Sequence, residues 1–152
     1  MMALAPFFAL PAHERRLAVE ACLCLLAVRL VLGILPFRVA LRLLRAAPAE
    51  APVEFTGGRI DPAASREIAR AIARAARHAP FRALCLQQAF AALLMLRRRG
   101  LSASVHLGLA REAGSGALAA HAWCRCGALP VTGVEAADGF VPVAVFAASG
   151  AL

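Results

Sequence analysis

The chain changes its period at Gly100, and that change constrains the fold more than any other feature. Before it, apolar residues recur at helical spacing in runs punctuated by proline. After it, short apolar stretches alternate with polar or small residues and are cut by glycine. Helices first and an antiparallel sheet afterwards is the order of an α+β domain. With 152 residues the chain makes one ordinary domain with room for a sizeable core. Hydrophobic residues make up 61%, but alanine inflates that figure, adding helix propensity and little buried area.

The spacing predicts a helix from about His13 to Leu35, a break at Pro36 and a second helix from Phe37 to Leu44. The first is nearly long enough to cross a bilayer. Glu20 and Arg29 interrupt it on opposite faces, each costing a few kcal/mol at membrane depth, so a buried or partner-covered helix is expected. The second carries Arg38, Arg42 and Arg45 on one face, which suits solvent or a lipid surface. Residues 46–58, with Pro48, Pro52, Gly57 and Gly58, read as a linker, dividing the chain into 1–58 and 59–152. Asp61 as N-cap and Pro62 at the first helical position open a third helix, running to His78. Another spans Cys85 to Leu96, ending in Arg97-Arg98-Arg99-Gly100. Strands follow at 102–110, 119–126, 129–132 and 140–146. The last is expected at a sheet edge, because Pro142 cannot donate to a ladder.

The net charge of +8 is carried by arginine and favours acidic partners. No glycine loop of the phosphate-binding type occurs, and neither a cofactor nor a nucleic-acid partner is expected. Five cysteines form an odd set. Cys22 and Cys24 share an apolar helix, Cys124 and Cys126 a strand face, and neither pair has Cys-x-x-Cys spacing. Reduced thiols and no metal are expected. The start, Met1 to Phe8, lacks the basic and apolar regions of a secretory signal, which points to the cytoplasm.

Cys85 is the residue with the clearest chemistry. A thiol in the first turn of a helix sits at the positive end of the helix dipole, which favours the thiolate, the nucleophilic form. The backbone N–H groups there can also bind the oxyanion of an attacked carbonyl. His121, in Ala120-His121-Ala122-Trp123, is the candidate base, if the sheet packs against the start of that helix. The bland alternative is a small core cysteine and a structural histidine. Trp123 shares the face of His121 and can wall a substrate groove. Gln88 can also line the site, although solvated helix-surface glutamines are expected at 87 and 88. His106 shares a face with Ser104 and reads as structural.

The run Pro80-Phe81-Arg82-Ala83-Leu84-Cys85-Leu86-Gln87-Gln88-Ala89, then Leu94 to Gly100, Leu107-Gly108 and Ala120-His121-Ala122-Trp123, resembles the lasso-peptide biosynthesis B2 family over residues 60 to 147. The resemblance implies a transglutaminase-like, papain-related core. It also implies a cysteine protease that removes the leader from a ribosomally made precursor, with Cys85 as nucleophile and His121 as base. A separate asparagine-synthetase-like cyclase then joins the freed N-terminus to an acidic side chain. Members of that family often have an aspartate across from His121, near Thr132 or Gly133, and this chain has none. Thr132, Glu135 and Asp138 are the candidates for a third residue, or the pair works as a dyad. Residues 1–58 do not read as the leader-recognition domain fused to some relatives, so a separate B1-type leader-binding protein is implied. The N-terminal helices are then free to bind that protein, the cyclase or a membrane surface. Acyl transfer to an amine and a non-catalytic scaffold are the competing readings.

Overall fold

The computed structural model describes residues 5–50 and 59–148. In chain order the elements are α1 (Ala5–Phe8), α2 (Ala12–Ile34), α3 (Phe37–Leu43), β1 (Ala46–Ala49), α4 (Pro62–His78), α5 (Cys85–Arg97), β2 (Ser104–Arg111), β3 (Leu118–Cys126), β4 (Leu129–Thr132), a 3-10 turn (Val134–Ala136) and β5 (Val141–Ala148). The expected α+β class holds. One antiparallel sheet, ordered β1-β5-β2-β3-β4, is covered on one face by helices.

Local chemistry sets the helix ends. The Asp61 carboxylate accepts from the Ala64 N–H at 3.0 Å, capping α4 as expected, and Pro62 occupies the first turn, where its missing N–H costs nothing. α4 is amphipathic. Ile68, Ala71, Ile72 and Ala75 are buried, and the arginines take the opposite side. α5 is different, with Ala89, Phe90, Ala91, Ala92, Leu93, Met95 and Leu96 all fully buried. A helix apolar all round must lie at the centre of a fold.

Two expectations are corrected here. Part of the linker, Ala46–Ala49, is a strand pairing with β5 (Ala46 opposite Ala148, Ala49 opposite Val145). It forms because β5 offers an open row of backbone groups; residues 51–58 of the expected linker lie outside the described residues. β5 is therefore not an edge strand. Its proline is tolerated because β1 reaches only Val145–Ala148, leaving Pro142 unpaired on that side, and because the β2–β5 register slips between Leu107 and Gly108.

One core cluster runs from Ala21 and Leu25 of α2, through α4 and α5, to Val105, Cys124 and Phe146 of the sheet. The segment before residue 59 thus shares its core with the rest. By length and composition α2 is able to cross a membrane. In the fold its Ala21, Leu25 and Val28 pack inward, while Leu23, Leu26, Leu30 and Ile34 stay exposed, Ile34 by 74%. Both charges that interrupt it are used. Arg99 donates to the Glu20 carboxylate at 2.9 and 2.6 Å, and the Arg29 guanidinium lies 4.8 Å over the Phe81 ring.

The Glu20–Arg99 pair gives a testable pH dependence. The hydrogen bonds from Arg99 hold the Glu20 carboxyl below its ordinary value against the opposing effect of burial, and the charges of Arg99 and Arg98 add to the lowering. A group depressed in the folded state stabilises fully above its unfolded pKa and loses that contribution as pH falls through the folded one. Glu20→Gln is expected to cost about 1 kcal/mol at pH 7. Thermal melts should show that difference shrinking to nothing in acid.

Candidate active site

Cys85 opens α5 and is half-buried against the core. The turn before it is tied from three sides. The Leu84 N–H donates to Gln87 Oε1 at 3.1 Å, Gln88 Nε2 donates to the Ala83 carbonyl at 2.9 Å, and Arg29 of α2 donates to the Arg82 carbonyl at 3.4 Å. Gln87 and Gln88 are therefore not solvated surface residues. Gln87 is buried and its side chain accepts from the N-cap N–H, and both glutamines hold the loop that precedes the thiol. Of the orphan N–H groups in the first turn, those of Cys85, Leu86 and Gln87 have no acceptor within the helix.

The other cysteines are poor competitors. All five are free thiols. Burial, helped by the Glu20 charge, pushes Cys24 up to about 11, and burial with Cys126 nearby pushes Cys124 far above the ordinary thiol range. Cys22 is exposed but also shifted upward by partial burial.

Cys85 starts the helix that packs on the core face of the sheet, and His121 stands on β3, on the face that alternates with that core. Leu101, just past α5, bridges to Arg59, and Ile60 covers the β3–β4 turn at Gly127, so the C-terminal end of α5 lies at that turn. α5 has 13 residues, and it packs along β3. Such a helix is about 20 Å long, so its first residue lies well away from the β3–β4 turn; His121 is the fourth of the nine residues of β3. Along β3, Ala122, Cys124 and Cys126 point into the core, and His121, Trp123 and Arg125 alternate with them on the opposite face. β4 pairs with β3 only at Cys124–Cys126, and past it the turn at Gly133 lies against Ala122 and His121. Among the described residues, thiol and imidazole are not hydrogen-bonded to each other. Catalytic hydrogen bonds of this kind commonly tighten only with substrate in place.

His121 is fixed by its neighbours. Its Nε2 lies 2.7 Å from the Gly133 carbonyl oxygen, and its ring sits 6.0 Å from Trp123, nearly parallel, and 5.3 Å from Phe140. His106 stacks on Trp123 at 5.6 Å with Nε2 3.0 Å from Ser104 Oγ, and burial with the Arg125 charge lowers its pKa, keeping it neutral at pH 7. That is the structural role expected of it. Trp123 is buried in this stack, so it supports His121 more than it exposes a wall.

None of the three proposed third residues bonds to the imidazole. Thr132 lies opposite Cys124, is buried, and its Oγ1 has no hydrogen-bond partner. Glu135 lies in the 3-10 turn and Asp138 follows it. Among the described residues neither carboxylate bonds to His121. The sequence reading missed Arg29, Phe140 and the Gly133 carbonyl. Gly108 stands in mid-strand, where a glycine signals close approach. A Cβ there would stand 2.8 and 2.9 Å from Trp123 ring carbons and 3.0 Å from Phe140 Cβ. Gly108→Ala is expected to destabilise by about 1–3 kcal/mol, measured by denaturant titration, and to shift Trp123 fluorescence, which reports only this residue because the chain has one tryptophan. A variant unchanged in both would show that the stack has room.

No group of three or more His, Cys, Asp or Glu side chains suited to a metal occurs among the described residues. The family model of the transglutaminase-like superfamily matches residues 22–145. No curated protein and no solved structure matches the chain.

Proposed function

The chain belongs to the transglutaminase-like superfamily, and from that premise we propose that it is a cysteine peptidase that removes the leader from a ribosomally made lasso-peptide precursor. Enzymes of this superfamily are cysteine peptidases and acyl transferases, so thiol chemistry on an acyl group is the common denominator. The observation that carries the reading is the position of Cys85 as first residue of α5, in a turn held by Gln87, Gln88 and Arg29; His121, held on the Gly133 carbonyl, is the base assigned to it. The motifs around Cys85 and His121 support the choice of substrate.

In this mechanism the Cys85 thiol gives its proton to His121 and its sulfur attacks the carbonyl at the leader–core junction. N–H groups of the first turn of α5 stabilise the oxyanion. The C–N bond breaks, His121 protonates the departing amine of the core peptide, and the leader remains as a thioester on Cys85. Water, deprotonated by His121, hydrolyses that thioester. The core then passes to a separate cyclase. A separate leader-binding protein delivers the precursor in the cytoplasm, and the exposed apolar face of α2 supports docking of partners by the N-terminal helices.

The test is mass spectrometry of the precursor after incubation with this protein and the leader-binding partner, wild type against Cys85→Ala. One cut, absent with the variant, is expected. A precursor left whole by the wild type would overturn the peptidase, and a crosslinked product of unshortened mass would reassign the site to acyl transfer.

A further inference from the structure

We infer that the main-chain carbonyl of Gly133 is the positioning group for His121, so that the site works with no acidic third residue. The inference rests on the roles given above to Cys85 and His121. A carbonyl only accepts, so at 2.7 Å the imidazole Nε2 must be the donor and carry the proton. In the neutral ring Nδ1 then holds the lone pair. That is the nitrogen left to take the Cys85 proton.

The backbone geometry is particular to this position. Gly133 has φ 69°, in the left-handed region, where the turn out of β4 swings its carbonyl towards the strand carrying His121. A Cβ at 133 would lie 2.8 Å from the Ala122 carbonyl oxygen and 3.1 Å from His121 Nε2. A side chain at 133 therefore collides with the imidazole it would have to orient, unless the turn is rebuilt. The carbonyl fills the place instead. Stacking on Trp123 and contact with Phe140 fix the tilt of the ring, and the Gly133 hydrogen bond fixes its rotation and tautomer. Thr132 points to the core face, and no carboxylate among the described residues bonds to the ring. A carbonyl presents a dipole where a carboxylate presents a charge, so it orients the base while stabilising the imidazolium less.

Two measurements on the full chain decide the matter. The first is nitrogen NMR of protein labelled at histidine, with glycine carrying labelled carbonyl carbon, and His121 assigned through a His121→Gln variant. The expected result is a proton on Nε2 with scalar coupling across the hydrogen bond to the Gly133 carbonyl carbon. A proton on Nδ1 would overturn the inference. The second is cleavage kinetics of Glu135→Gln and Asp138→Asn. Both are expected to keep kcat within about threefold of wild type; a fall of about a hundredfold or more in kcat at unchanged KM, in either, would identify a carboxylate as the orienting group and overturn it. The NMR result needs no substrate, so it stands or falls separately from the peptidase reading.

Discussion

Cys85→Ala is expected to lower kcat/KM for precursor cleavage by about four orders of magnitude or more while leaving the fold intact. The substitution deletes one sulfur atom from a half-buried position in the first turn of α5. Alanine is the better helix former, so the loss of packing, about 1 kcal/mol or less, is partly offset. The hydrogen bonds that shape the preceding turn come from Gln87, Gln88 and Arg29 and do not involve the thiol. No other cysteine is placed to substitute. Cys24 and Cys124 are buried and held as thiols, and Cys22 and Cys24 lie on α2, away from the first turn of α5. Circular dichroism should show an unchanged melt within a few degrees, and mass spectrometry should show no cut. Cleavage by a well-folded variant at the wild-type rate would remove Cys85 from the mechanism.

Phe90→Ala is expected to have the largest effect on stability, about 3–5 kcal/mol. Phe90 is fully buried at the middle of α5, its ring 6.3 Å from that of Phe146, so it joins the helix that begins at Cys85 to the interior strand β5. Domains of this kind have about 5–15 kcal/mol in total, so the variant should melt on the order of 10 °C lower, or fail to fold. Phe90→Leu keeps most of the volume and should cost clearly less. Equal, small losses for both in denaturant titration would mean that α5 is not the centre of the core. Cleavage should fall only in proportion to the fraction unfolded, which separates this effect from that of Cys85→Ala.

Much of this arrangement is legible without coordinates. Asp61 and Pro62 announce the start of α4, and the triple arginine before Gly100 announces the end of α5. Alternation after Leu101 gives three of the strands nearly residue for residue. The helix-start position of Cys85 is equally visible, because capping and period depend on neighbours a few residues away. β1 was not visible, since Ala46-Ala47-Pro48-Ala49 has no strand propensity of its own. Its place is decided by the partner, Ala148, about a hundred residues further on. Gln87 and Gln88 look like surface residues because their letters are polar, and only the closed turn shows the backbone groups they bind.

The sequence by itself determined the α+β class and the ends of the helices, including the one that Cys85 opens. Only the tertiary structure decided that α2 and β1 belong to the same body, and that the Gly133 carbonyl stands against the His121 ring. The reason is the reach of the forces involved. Propensity, capping and periodicity act within a turn or two of chain and are written in consecutive letters. Strand register and burial join residues far apart, and a backbone carbonyl is present at every position, so nothing in the sequence distinguishes the one that the fold turns towards His121.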